Sequence, residues 1–131
     1  MFLHELSNPQ RDAFLTLAAR LMSANAEMHD NELAILTLMR EEMDMPATWR
    51  PRTETTAALL GEFDSVRSRS VTVVELLRVA HSDHSIASEE LAFIQDVSRE
   101  FGFGFARVRA LARWLARYNA LLEEGDQLLD E

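Results

Sequence analysis

Apolar residues recur along this chain at intervals of three and four, the period of helices with one buried face. Strand-like alternation is confined to Val71-Thr72-Val73-Val74, which runs straight into helical spacing, so the pattern predicts an all-α protein. Asn8-Pro9 reads as a cap followed by proline at the first helical position, and Phe14, Leu17, Ala18, Leu21 and Met22 carry a first helix to about residue 23. A polar stretch over 24–29 precedes Asp30, the expected N-cap of a second helix over 31–43 with Leu33, Leu36, Met39 and Met43 on its stripe. Pro46 and Pro51 predict a loop over 46–52. Thr53 then offers a cap to a third helix through Ala57, Leu60 and Phe63 that ends near Val66, and Arg67-Ser68-Arg69-Ser70 reads as a polar connector. Ser70 or Thr72 is expected to cap a fourth helix bearing Val73, Leu76, Leu77 and Ala80. Beyond a polar loop over 82–87, Ser88 caps a fifth helix with Leu91, Ile94 and Val97, and Gly102 is placed to end it in left-handed conformation. A last helix is expected from about 105 to 124 through Val108, Leu111, Ala112, Leu115 and Leu122, closed by Gly125, with 126–131 a frayed acidic tail.

A shift of 58 positions carries Glu32-Leu33-Ala34-Ile35-Leu36 onto Glu90-Leu91-Ala92-Phe93-Ile94. The same shift matches Leu21 with Val79, Asn25 with Asp83, Met28 with Ile86, Glu42 with Glu100 and Met43 with Phe101. Apolar positions keep their type and loop polarity keeps its place. The chain therefore reads as a single domain, 1–131, a helical bundle of about six to seven helices. Two pseudo-symmetric three-helix repeats, about 9–66 and 70–125, are expected to bury their apolar faces against one another.

Composition narrows the function classes. In 131 residues, 47% are hydrophobic and 27% charged, with only 4 glycines and 3 prolines, which excludes a disordered or low-complexity chain. The lack of cysteine removes disulfides, thiolate zinc sites and cysteine nucleophiles. No apolar stretch approaches the ~20 residues that span a bilayer, so direct membrane insertion is not expected and only peripheral association stays open. The acidic start lacks a basic signal-peptide region, pointing to the cytoplasm. A net charge of -9 disfavours nucleic acid as a partner. All 13 basic residues are arginine, and their scatter fits base composition better than a single anion-binding patch.

The second polar loop reads Val79-Ala80-His81-Ser82-Asp83-His84-Ser85-Ile86-Ala87-Ser88-Glu89-Glu90-Leu91. It resembles the TerB-like tellurite-resistance family, which includes the amino-terminal region of the membrane-anchored DnaJ-type co-chaperone DjlA. That family's pattern is an alanine-rich helix, Asp-Gly, one residue, an aliphatic, and a glutamate opening the next helix. Asp83, Ile86 and Glu90 match it, with His84 where the glycine stands; in the first half Met28 and Glu32 match, with Asn25 for the aspartate and Ala26 for the glycine. The resemblance covers roughly residues 10 to 125. It implies an all-helical bundle whose acidic loops bind a divalent metal ion, in proteins tied to stress responses at the inner face of the bacterial membrane. The departures remove easy access to positive φ and lower the anionic charge offered to a hard cation.

From the residues themselves, two readings of the loops stand. Asp83 and Glu90 are close enough in sequence to converge on a cation, though without the ligand ladder of an EF-hand. Equally, Asp83 serves to bond its own loop backbone and Glu90 to complement the α-helix dipole. His81, Asp83 and His84, with Glu89 or Glu90 nearby, form a softer nitrogen-and-oxygen set suited to zinc or nickel. The first loop's Glu27, His29, Asp30 and Glu32 read as a solvated acidic face, with Asn25 at the position equivalent to Asp83. Were both loops at one end of the bundle, their carboxylates would form a shared patch for a cation or a basic partner.

Arg109, Arg113 and Arg117 recur every four residues on the last helix, a ridge that is either solvated or turned to phosphate or an acidic partner. Trp114 and Tyr118 read as packing residues, and Met22, Met28, Met39, Met43 and Met45 fall mostly at core positions. Trp49, between two prolines, is the aromatic expected at a surface contact. No His-Glu-x-x-His, Gly-x-Ser-x-Gly or phosphate-cradling glycine loop is present, and no enzyme is expected. The chain is thus expected to be a small cytoplasmic adaptor or stress-response binding module with a protein partner and acidic loops for a divalent cation. The alternative is a purely structural or homo-oligomeric helical protein without a metal site, and a metal-dependent hydrolase using His81, Asp83, His84 and Glu90 ranks third.

Overall fold

In the computed structural model a 3-10 turn, Leu3–Glu5, leads into six α-helices: α1 (Asn8–Ala24), α2 (Asp30–Glu42), α3 (Thr56–Leu60), α4 (Val66–Ala80), α5 (Ser88–Glu100) and α6 (Phe105–Asp130). The structure describes residues 1–24, 30–80 and 88–131, with backbone alone for 30–32. Among the described residues there is no strand, in keeping with the helical periodicity.

α1 and α4 occupy the centre. α1 touches α2, α3, α4 and α5, and α4 touches α1, α2, α5 and α6. Their apolar faces supply most of the core: Phe14, Leu17 and Leu21 from α1 and Val73, Leu76 and Val79 from α4 are fully buried, with Phe63 between α3 and α4. Val71, Thr72, Val73 and Val74 sit inside a helix despite being β-branched, because burial there outweighs their weak helix preference of at most ~0.7 kcal/mol each. Met22, Met39 and Met43 are core residues as their spacing predicts. Phe63 meets Phe101 edge-on at 6.0 Å between ring centroids, which ties the end of α5 to the start of α4.

Several boundaries differ from the sequence expectation, each because another residue caps better. α1 is capped by Ser7 rather than Asn8: the Ser7 N–H donates to Gln10 Oε1 at 3.0 Å and the Gln10 N–H to Ser7 Oγ at 3.4 Å, a reciprocal capping box. The expected connector Arg67-Ser68-Arg69-Ser70 is instead the start of α4. There the Ser65 N–H donates to Ser68 Oγ at 3.2 Å and the Ser68 N–H to Ser65 Oγ at 3.0 Å. α3 is a short helix capped by Thr55, whose side chain accepts from the Ala58 N–H at 3.2 Å, not by Thr53.

α5 ends as expected. Gly102 takes φ 76°, its N–H donates to Arg99 O at 3.0 Å, and the Phe103 N–H donates to Ser98 O at 2.9 Å, the paired bonds of a Schellman ending. α2 ends the same way at Asp44, φ 57°, with N–H bonds from Asp44 to Glu41 O and from Met45 to Arg40 O, both 3.0 Å. Gly125, in contrast, does not end α6. The helix runs on to Asp130, so 126–130 continues α6 instead of following it as a separate tail. A glycine stops a helix by adopting positive φ, and Gly102 is the one glycine that does so.

Arginines fasten the segments between helices. Arg11 donates to Leu6 O and His4 O, both at 2.9 Å, and to Met43 O at 3.2 Å, joining α1 to the end of α2. Arg20 donates to Thr56 Oγ1 at 3.1 Å, to Arg52 O at 3.2 Å and to Glu54 O, fixing the loop before α3. A forked guanidinium suits such multiple carbonyl contacts as an ammonium does not.

Candidate functional site

Of the residues considered as metal ligands, Asn25, His81, Asp83 and His84 lie outside the described residues, and so does the Glu32 side chain. The relative placement of the two polar loops falls outside them as well. Glu90 is described: it stands in the first turn of α5 and is only 2% exposed, whereas its neighbour Glu89 is exposed. A carboxylate so buried is held by partners and not by water, and Glu90 is not isolated there. Its place in the first turn is the one the helix-dipole reading assumes, and that reading does not by itself account for the burial. Calcium or magnesium takes six or more oxygen ligands and a tetrahedral zinc site four nitrogen, oxygen or sulfur ligands, and of the candidate ligands the structure describes one side chain. Among them no three His, Asp or Glu side chains gather closely enough to hold a metal ion, so they do not by themselves build a cation site.

A second buried carboxylate escaped the sequence reading. Glu75, in the middle of α4, is fully buried; its Oε1 accepts the Phe2 N–H at 3.0 Å and its Oε2 lies 2.6 Å from Arg78 Nη2. Arg78 also reaches Glu42 Oε2 at 3.3 Å, and Glu42 Oε1 accepts from the Met1 ammonium at 2.6 Å. Burial pushes the Glu42 carboxyl up, but hydrogen bonding and charge from the Met1 ammonium, then from Arg78, outweigh it and hold its pKa below the ordinary value. This network joins the first residues, α2 and α4. Its signal in the sequence was a glutamate inside the apolar run Val71 to Ala80 with an arginine three residues on.

Trp49 is half-buried, packs on the core, and donates from Nε1 to Asp12 Oδ1 at 2.7 Å. The residue expected at a surface contact is thus an anchor between the proline loop and α1. Arg52, beside it, forms ion pairs with Glu62 at 2.7 Å and Glu54 at 3.1 Å.

The strongest unpaired surface lies on α6. Its 26 residues extend about 39 Å at ~1.5 Å per residue, yet Leu115 is its one fully buried side chain. Leu111, Ala112 and Trp114 lean on the core beside α4, and Trp114 is sandwiched between Phe2 at 5.8 Å and Tyr118 at 5.5 Å. Past Tyr118 every residue is exposed except Asn119 and Gly125, which are half-buried. Leu121, Leu122, Leu128 and Leu129 are exposed by 70%, 53%, 63% and 84%. Arg113 and Arg117 are exposed on the same helix, while Arg109 lies over the Phe105 ring at 4.4 Å. Arg109 and Phe105 line a groove of about 460 Å³ between α5 and α6, with Leu77, Leu91, Phe103 and Val108. None of the helices among the described residues is long and apolar enough to cross a membrane.

No family model, curated protein or solved structure matches the chain.

Proposed function

We propose that the chain is a non-enzymatic binding module, TerB-like in plan, that docks a protein partner on α6. The observation that carries this reading is the row Leu121, Leu122, Leu128 and Leu129, four leucines more than half exposed and outside the core of the chain. Isolated helices shorter than ~12–15 residues are marginal in water, and an exposed apolar row adds to the cost unless something covers it. Support for the duplicated plan comes from the 58-residue spacing. It separates the capping serines Ser7 and Ser65, the starts of α1 and α4, the starts of α2 and α5, and the left-handed residues Asp44 and Gly102. On that plan the protein serves as a cytoplasmic adaptor in a stress response.

The test is photo-crosslinking in the cells that make the protein, with a photoreactive residue at Leu121 and, as control, at Ala116, which is exposed on the other side of α6. Adducts at 121 and not at 116 are expected. Equal labelling at both positions, or none at 121, contradicts the reading.

Glu90 favours a second reading in which it joins residues of the 81–87 stretch as ligands to a divalent cation of the class the TerB-like resemblance implies. Thermal melting of chelator-treated protein with calcium, magnesium, manganese or zinc tests it. A rise in Tm that is lost in Asp83→Ala/Glu90→Ala supports a site; unchanged melting with every metal removes it.

A further inference from the structure

α5 and α6 both pack on α4 and barely on each other. Between them lies the groove of about 460 Å³, with Leu77 of α4 at its floor, Leu91 on the α5 wall and Val108 and Ala112 on the α6 wall. The short connection over 101–104 joins the two helices at one end, and there Phe103 and Phe105 add aromatic surface. Leu91 and Phe105 are 39% and 66% exposed, so the described residues leave this apolar lining open to water.

Charge indicates what the groove takes. Its described lining holds two arginines and no carboxylate, in a chain with 22 acidic residues against 13 basic. Arg109 pairs with no carboxylate among the described residues; its guanidinium lies over the Phe105 ring at 4.4 Å, which holds the positive charge beside the apolar surface. Arg99 meets Asp96 at 3.3 Å, but both side chains are more than two-thirds exposed, and so exposed a pair holds Arg99 only weakly. The net charge of -9 does not exclude an anion here, because charges beyond ~8 Å are largely screened at physiological salt and the two arginines outnumber Asp96 at the groove.

The two kinds of lining are also separated. Arg99 stands in the last turn of α5 and Arg109 in the second turn of α6, both toward the end joined by 101–104. Leu91 stands in the first turn of α5, about 12 Å from Arg99 along the helix at ~1.5 Å per residue, and Ala112 lies farther along α6 than Arg109. Cations at one end and hydrocarbon toward the other match a ligand with an anionic head and an aliphatic tail. At ~30 Å³ for each water-sized group, a volume of about 460 Å³ holds about fifteen non-hydrogen atoms. That is the scale of a small ligand, whereas a docked protein covers about 800 Å² of each partner.

We propose that the groove between α5 and α6 binds an aliphatic carboxylate, a free fatty acid of about ten to twelve carbons, with its head at Arg99 and Arg109 and its chain along Leu91 and Ala112. This goes beyond the docking reading: the lining ends at Ala112 on α6, short of the leucine row, so the two stand or fall separately.

Isothermal titration calorimetry of the purified protein with decanoate and dodecanoate, below the concentrations at which they form micelles, tests it. One-to-one saturable binding is expected, about tenfold tighter for dodecanoate because two more methylenes are buried. Decan-1-ol should bind about tenfold more weakly than decanoate, since it brings no charge to the arginines. Arg109→Gln should weaken dodecanoate about tenfold, and Leu91→Glu, which sets a carboxylate in the groove, should abolish binding. Both positions are exposed, and circular dichroism checks that each variant keeps its helices. No saturable binding up to about 1 mM overturns the proposal, as does decan-1-ol binding as tightly as decanoate, or an affinity unchanged in either variant. Capture of the protein by phosphatidylglycerol vesicles without any binding of decanoate or dodecanoate also overturns it, and makes the groove a membrane contact instead.

Discussion

Asp44 and Gly102 hold the same left-handed backbone, φ 57° and 76°, at the ends of α2 and α5, and each is followed by the same pair of helix-closing hydrogen bonds. A side chain in this region costs about 1–2 kcal/mol, less for aspartate than for most residues. Substitutions at the two sites should therefore have opposite signs. Gly102→Ala is expected to destabilise by about 1 kcal/mol from backbone strain alone, since a Cβ there meets nothing within 4 Å. Asp44→Gly is expected to stabilise by up to about 1 kcal/mol, helped by removing a negative charge from a helix C-terminus. Urea denaturation of both variants measures this; shifts of the same sign would show that the two endings are not equivalent.

The indole of Trp49 holds the proline loop to α1 through Asp12, at 2.7 Å. Trp49→Phe keeps most of the packing and leaves the carboxylate without that donor, at a cost of about 1.5–3 kcal/mol for a bond to a charged group. Chemical denaturation followed by circular dichroism reads the loss. A variant as stable as the parent would mean that the bond is replaced by water without penalty.

For Glu75 and Arg78 the prediction concerns a pair rather than a residue. Glu75→Ala leaves the Phe2 N–H without its acceptor and Arg78 with Glu42 alone, and should cost about 1–3 kcal/mol. Glu75→Leu/Arg78→Leu should lose clearly less than Glu75→Ala, because well-packed apolar residues replace a buried ion pair at little net cost. The comparison by urea denaturation goes against the account if the double variant is the weaker of the two.

Stability should also depend on acid. The Glu5 carboxyl is held below its ordinary value chiefly by its hydrogen bond with Arg67, Glu54 by its hydrogen bond with Arg52, and Glu42 by the Met1 ammonium and Arg78 against burial. A carboxyl with a lowered folded pKa contributes stability that is fully present above its unfolded value, near 4.5, and is lost as pH falls through the folded value. Tm is thus expected to be level through neutral pH and to drop below about 4.5. In Glu42→Gln the protein should be less stable at pH 7 and the acid-dependent drop shallower. An undiminished drop would assign it to other groups.

The helices were legible because their apolar stripes are long and regular, and Gly102 because a glycine after the last periodic residue is a strong ending. Caps were less so. Asn8 and Ser70 look like caps in isolation, and only the reciprocal bonds of Ser7 with Gln10 and of Ser65 with Ser68 decide against them. Gly125 misled because glycine ends a helix through its φ, which neighbouring residues do not declare; Leu128 and Leu129, continuing the stripe, were the counter-signal. Trp49 looked exposed because its partner, Asp12, is far away in sequence. The two buried carboxylates show both outcomes: Glu90 stood out at a helix start, while Glu75 was hidden in an apolar run whose period it did not break. Of the α6 surface, the arginine ridge was legible, and the uncovered leucines were not, since only the packing of α4 shows how little of α6 is used.

The central claim is that the leucines of α6 beyond Tyr118 lie outside the core of their own chain, which is what the proposed docking role rests on. Amide hydrogen exchange tests it most directly, because protection reports local opening. In dilute protein, amides of residues 121–130 are expected to exchange far faster than those of residues 108–117 and of α4. Protection equal to that of α4 in the dilute single chain would contradict the account.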